Sequence, residues 1–229
     1  MSLGASSDIE LSHWQASGNS EYVNTFFAPY PPLDQAFRYS ATALTLTTSP
    51  TDIWSTTLKL SHIEDDIRQT QSDDFVRTRR NVLDWQNDIE VNPHHLVSAG
   101  ISLSRENTDS LSYGSGFDVD TDTDAVFAQD NISYGNHQLL LAARHTDHSS
   151  FGNHNTWNIE YGYQVNQELR LLAGVGTAFR APDSSDRFGY GGDPDLEPEE
   201  SRNIELGLRY KPDSHNKYSL SLFENRIHN

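Results

Sequence analysis

The chain has 229 residues, no cysteine and a formal net charge of -17, which excludes a disulfide framework and thiol chemistry and sets nucleic acid aside as a partner. Mean hydropathy is -0.67, and no run approaches the roughly 20 apolar residues that a spanning helix needs, so helical membrane spans are excluded. A barrel strand needs only about 9–11 residues with every second one apolar, so a membrane barrel stays open.

Met1, Ser2, Leu3 and Gly4 read as an expression leader. No secretion signal follows, and a membrane barrel must be exported, so the sequence predicts a piece of a longer protein. The first strand is expected over 8–15, with Ile9 and Leu11 alternating against polar residues up to Trp14. A long loop, 16–35, carries Tyr22, Phe26, Phe27 and Tyr30. Strand 36–48 turns through Ser49, Pro50 and Thr51 into strand 52–64, where Trp54, Leu58 and Leu60 share a face. A polar loop, 65–74, leads to strand 75–91. There Leu83, Trp85, Ile89 and Val91 oppose Asp84, Gln86, Asp88 and Glu90. A period of two with unlike faces means a strand between two different environments. Asn92, Pro93 and His94 form a tight turn, and strand 96–105 sets Val97, Ala99, Ile101 and Leu103 against Ser98, Gly100, Ser102 and Ser104.

The next loop, 106–123, is expected to be long, acidic and glycine-rich. Strands 124–134 and 138–146 meet at Gly135-Asn136. A shorter loop through Phe151 and Gly152 leads to a strand with Trp157, Ile159, Tyr161, Tyr163 and Val165. Strand 169–180, a loop of about twenty residues rich in Pro, Gly and Asp, and a strand with Ile204, Leu206, Leu208 and Tyr210 follow. A turn over 211–216 precedes a last strand with Tyr218, Leu220 and Leu222. These are about eleven strands, with short turns and long loops in alternation. Aromatic residues gather near strand ends, as at Trp14, Tyr39, Trp54, Trp157, Tyr163, Tyr210 and Tyr218, where an interfacial girdle places them. The predicted fold is all-β: an antiparallel up-and-down transmembrane β-barrel, about 10–11 strands of a larger barrel, in one segment over 1–229. A soluble acidic β-sandwich that binds calcium or glycans is the alternative from another class.

Two runs carry a resemblance: GTAFRAP over 176–182 and GDPDLEPEES over 192–201. The sequence resembles the barrel domain of TonB-dependent outer-membrane receptors, in which an "FRAP" strand end and an "NPxLxPExS" loop recur; Asp193 stands where Asn is usual. The hairpin ARHTDHSSFGNHNTW over 143–157 and the loop FFAPYPPLD over 26–34 resemble the cobalamin-transporter branch. The resemblance covers nearly the whole chain and implies the middle of a 22-strand barrel, without the plug, the energy-coupling box or the last strands. It implies an outer membrane of a Gram-negative bacterium, with energy-coupled uptake of a scarce ligand such as cobalamin. A siderophore or other chelate is the alternative within the family. The implied partners are outer-membrane lipid, the receptor's own plug, and the periplasmic TonB protein acting through that plug.

The same branch holds calcium on loop aspartates, and calcium takes six to eight oxygens. Its last loop aspartate falls on Asp34, and its Tyr-Asp-Ala falls on Val23, Asn24 and Thr25. Asn24 offers an amide oxygen in place of a carboxylate, and Thr25 stands where the backbone meets the ligand. The resemblance therefore implies Thr25 as substrate-binding, and Asn24 and Asp34 as metal ligands.

Other constellations read blandly. Asp118, Asp120, Asp122 and Asp124 lack the Gly and closing Glu of an EF-hand and read as a solvated acidic loop. His145, Asp147 and His148 lack a fixed third ligand for a transition metal. Glu197, Glu199 and Glu200 lie in a proline-broken loop, and His94-His95 reads as a solvated turn. No catalytic triad or phosphate loop appears, so no enzyme is expected. An isolated open sheet would leave two edges unpaired. The fragment is therefore expected to close into a barrel of about ten strands, to pair with another copy, or to be held in detergent.

Overall fold

The computed structural model describes residues 7–23 and 32–228. In chain order the strands are β1 (Ser7–Val23), β2 (Pro32–Thr51), β3 (Trp54–Gln69), β4 (Phe75–Asn92), β5 (His95–Ser112) and β6 (Ser115–Tyr134). They continue as β7 (His137–His148), β8 (Gly152–Gln164), β9 (Leu169–Arg180), β10 (Glu199–Tyr210) and β11 (Tyr218–His228). One short helix, α1 (Ser184–Phe188), lies between β9 and β10. All eleven strands form one antiparallel sheet in strict sequence order, the up-and-down meander that the alternating connections predict. β1 and β11 are its two edges. Closure into a smaller barrel is not formed among the described residues, because no ladder joins β1 to β11.

The register sorts the side chains onto two surfaces. One ladder row joins Leu11, Leu44, Leu60, Leu83 and Leu103; the next joins Ile9, Leu46, Leu58, Trp85, Ile101 and Val126. Farther along the same surface run Leu141, Ile159, Val175 and Ile204, then Leu206 and Leu222. The opposite surface carries Lys59, Asp84 and Ser102, with Ser102 Oγ donating to Asp84 at 2.6 Å. The apolar side chains are uncovered: Leu141 is 39%, Leu171 41% and Leu206 57% exposed. Ala125 is the sole buried hydrophobic residue among those described. A sandwich needs a second sheet and a dry core between the two, and the described residues form neither. Burying a large aliphatic side chain is worth about 1.5–3 kcal/mol. Here no second layer among the described residues supplies that gain, and the ladders satisfy the backbone between strands.

Several expected loops are strands instead. β1 and β2 take up most of 16–35, leaving 24–31 outside the described residues. β3 runs to Gln69. The expected loop 106–123 is the continuation of β5 and β6, joined by Tyr113 and Gly114 alone. The first tight turn sits at Asp52 and Ile53, after a register shift between Thr48 and Thr51. The physical reason is common to the long extensions. Beyond the apolar band both surfaces carry polar side chains, so hydrophobic alternation stops while strand pairing continues. Polar cross-strand pairs hold it: Arg77 Nη2 to Asp66 at 3.0 Å, Arg80 Nε to Glu106 at 2.6 Å, and Asn107 Nδ2 to Asp118 at 2.7 Å and Asp120 at 3.0 Å.

Candidate functional site: the loop-side mouth and the polar wall

The loop side of the sheet has a step. β1 to β6 span 16–20 residues each, whereas β7 to β11 span 11–13. The β9–β10 loop folds into that step. Asp183 caps α1, its Oδ1 accepting from Asp186 N–H at 2.8 Å. The loop then meets the β5–β6 tip: Phe188 lies 6.1 Å from Phe117, and Tyr190 lies 5.0 Å from Tyr113. Arg187 sits over the Phe151 and Phe188 rings at 4.8 and 4.7 Å. His154 stacks on Phe179 at 3.7 Å. Beneath this cluster Ser184, His148 and Thr146 are buried. Burial pushes the His148 imidazole below its usual pKa, and the Arg187 and His154 charges push it the same way. Tyr113 reaches the tip with φ 50°, a left-handed backbone rare for a bulky residue, and its N–H donates to Asp74 Oδ1 at 3.0 Å. Nothing in the alternation marks this cluster, because its aromatic members come from three separate hairpin ends.

The sequence-predicted metal and ligand residues separate as follows. Asn24 and Thr25 lie outside the described residues. Asp34 is half-buried near the start of β2, opposite Glu21. Its carbonyl accepts from Thr70 N–H at 3.0 Å and Thr70 Oγ1 at 2.6 Å. Among the described residues no three His, Cys, Asp or Glu side chains come together as a metal site. His145 and His148 point to opposite surfaces, since β7 alternates; His145 Nδ1 pairs with Asn155 at 2.8 Å. The four aspartates 118 to 124 do share one surface, but on a strand rather than in a loop, and Asn107 and Arg105 engage them. Glu199 faces Arg180 at 3.6 Å and Glu200 faces His154 at 3.3 Å, so they are not a carboxylate pair. His95, expected to be solvated, binds Asp130 Oδ2 at 2.8 Å instead.

The polar surface holds a second feature. Across β6 to β10 it forms a trough of about 670 Å³. Its floor is bare backbone at Gly174, where a Cβ would meet nothing nearer than Glu160 Cγ at 3.8 Å, whereas at Gly176 the Asn158 amide oxygen would lie 2.9 Å from a Cβ. Arg170 and Arg209 border it on the short-turn side.

Comparisons with known proteins agree with this architecture. A family model described as "TonB dependent receptor-like, beta-barrel" matches residues 4–229. The chain is similar to the vitamin B12 transporter BtuB of Photobacterium profundum, 26% identical over 205 residues, which is 86% of this chain and 34% of that protein. It is similar to BtuB of Vibrio vulnificus, 26% identical over 212 residues, 88% of this chain and 34% of that protein. It therefore spans about a third of the length of these relatives. Among solved structures, a mutant ferric enterobactin receptor PfeA of Pseudomonas aeruginosa superposes with TM-score 0.84 at 15% identity, over 99% of this chain and 41% of that one. The FrpB iron transporter of Neisseria meningitidis gives 0.82 at 13%, over 97% and 42%. At such identities the likeness shows the fold alone. An eleven-strand meander with one uncovered apolar surface, matched by that family from end to end, belongs to the β-barrel of the TonB-dependent receptors, a family of receptors and not of enzymes.

Proposed function

We propose that this chain is part of the barrel wall of an outer-membrane receptor of a Gram-negative bacterium that takes up vitamin B12. The single observation carrying the ligand is the 26% identity to two vitamin B12 transporters along 86–88% of the chain. The solved ferric enterobactin receptor and the FrpB iron transporter share the fold at 13–15% identity and carry no argument for a chelate. In this reading the apolar surface meets lipid, the polar surface faces the receptor's plug, and the energy reaches that plug from the periplasmic TonB protein. The aromatic mouth under α1 lies on the cell exterior, at the end of the sheet where the loops are long.

Calcium belongs to the same proposal. Asp34, Asn24 and Thr25 take the roles assigned above, and Glu21 opposite Asp34 adds a second carboxylate at that spot. The test is binding of radiolabelled vitamin B12 to outer membranes containing the receptor, with and without calcium. Saturable binding that weakens on chelation is expected and that weakening is lost in Asp34→Ala. Absence of vitamin B12 binding, beside saturable binding of ferric enterobactin, would contradict the ligand.

A further inference from the structure

We infer that the β7–β8 turn and the β9–β10 loop form an acid-released latch over the loop-side mouth, with His148 as its proton sensor and Phe151 and Arg187 as its catch. The inference goes beyond the proposed function and does not depend on the ligand. His148 is buried at the loop-side end of β7, and its Nδ1 accepts from the Ser150 N–H at 3.2 Å. An accepting Nδ1 carries no proton. A proton added there would set one N–H against another and take this bond away. The bond closes a short turn, in which the Phe151 N–H also donates to the His148 carbonyl at 3.1 Å. Phe151 is what the turn presents. Arg187 of α1 lies over its ring at 4.8 Å, and Arg187 Nη2 donates to the Pro194 carbonyl at 3.3 Å on the far limb of the β9–β10 loop. One histidine nitrogen thus shapes the turn that holds the loop by its arginine.

The charges around His148 act in the same sense. The Arg187 guanidinium comes from α1, His154 from β8, Glu106 from β5 and Asp147 from β7 itself. Glu106 is taken by Arg80, whose Nε donates to it at 2.6 Å, and Asp147 stands exposed on the opposite surface. Asp122 of β6 meets the turn through its backbone, bonded to Ser149, while its carboxylate lies 3.3 Å from Arg105. Arg180 of β9 faces Glu199, and Glu200 of β10 faces His154. Among the described residues no carboxylate bonds the His148 ring. A proton arriving there therefore leaves a buried cation beside Arg187 without a partner. His154 differs. Its Nε2 faces the Phe151 carbonyl at 3.1 Å and its Nδ1 faces Glu200 at 3.3 Å, so a proton on either nitrogen finds an oxygen. That difference assigns the sensing to His148. Burial first, then Arg187 and His154, hold the His148 pKa down in the folded chain against Glu106 and Asp147. The closed latch is then fully favoured above the ordinary histidine value of about 6.5 and weakens as pH falls below it.

The chain has no cysteine, so a pair of spin labels introduced into it reports the latch. Ser115 at the β5–β6 tip and Ser185 on α1 are both exposed, and Ser115→Cys with Ser185→Cys labels the two sides of the mouth. In the full receptor in phospholipid bilayers, the distance between the labels is measured at about pH 7.5 and about pH 5, either side of the ordinary histidine value. One short distance is expected at the higher pH. At the lower pH a longer distance joins it, with its share risen by about fivefold or more. In His148→Asn the Oδ1 accepts from the Ser150 N–H at either pH, so this variant is expected to keep the short distance throughout. His148→Gln carries the same acceptor on a longer arm and takes its place where the Asn variant is open at the higher pH. His154→Gln is expected to keep the pH step. A distance distribution that is the same at both pH values would overturn the latch, and so would a step that survives in both His148 variants. A step abolished by His154→Gln would overturn the choice of sensor.

Discussion

β1 to β6 and β7 to β11 share the same apolar band but differ above it, and the difference separates two sources of strand stability. Within the band, lipid on one side forces alternation, and both halves show it, from Leu83 and Ile101 to Ile159 and Leu206. Above the band the tall half stays paired through ion pairs and amides on a polar ribbon. The short half ends instead, and its step is filled by the α1 loop through ring contacts and a buried histidine.

The largest expected effect tests what the halves share. Leu83→Arg and Leu206→Arg should each destabilise the folded receptor in bilayers by about 2–4 kcal/mol, read by urea unfolding. Next comes a difference in backbone packing. A Cβ at Gly100 in the tall half would lie 2.3 Å from the Trp85 carbonyl oxygen and 2.7 Å from Phe127 Cζ. Gly100→Ala should therefore cost about 2–3 kcal/mol, while Gly174→Ala in the short half should stay within about 0.5 kcal/mol. A double-mutant cycle on Asp66 and Arg77, both mostly shielded at 16% and 21% exposure, should give a coupling of about 1 kcal/mol that weakens with salt.

The smallest effect concerns the α1 loop. The His148 pKa is lowered in the folded chain, so the unfolded or undocked state binds its proton first. Docking is then fully favoured above the ordinary histidine value of about 6.5 and weakens as pH falls below it. Hydrogen exchange over 181–198 should quicken between about pH 6.5 and 5, and His148→Gln should remove that dependence.

How much of this was legible in the sequence follows from the same comparison. The alternation from Val97 to Leu103 and the turn at Gly135-Asn136 mark strands and their connection correctly, because lipid and tight-turn geometry leave a periodic or glycine signature. The ribbon 106–123 reads as an acidic loop because polar residues on both surfaces erase the period that identifies a strand. The trough was invisible for another reason. Gly174 and Gly176 read as ordinary small positions until the register sets them beside Glu160 and Asn158 on the neighbouring strand. His95 and Asp130, 35 residues apart, likewise meet only through the β5–β6 register.

The central claim is that one surface of this sheet faces acyl chains and the other does not. Spin labels placed singly from Val97 to Leu103 of β5, in the receptor in phospholipid bilayers, test it directly through accessibility to oxygen against a water-soluble nickel chelate. The account predicts a period of two, with high oxygen access at Val97, Ala99, Ile101 and Leu103 and low access at Ser98, Gly100 and Ser102. Uniform accessibility along the strand, or the opposite phase, would contradict it.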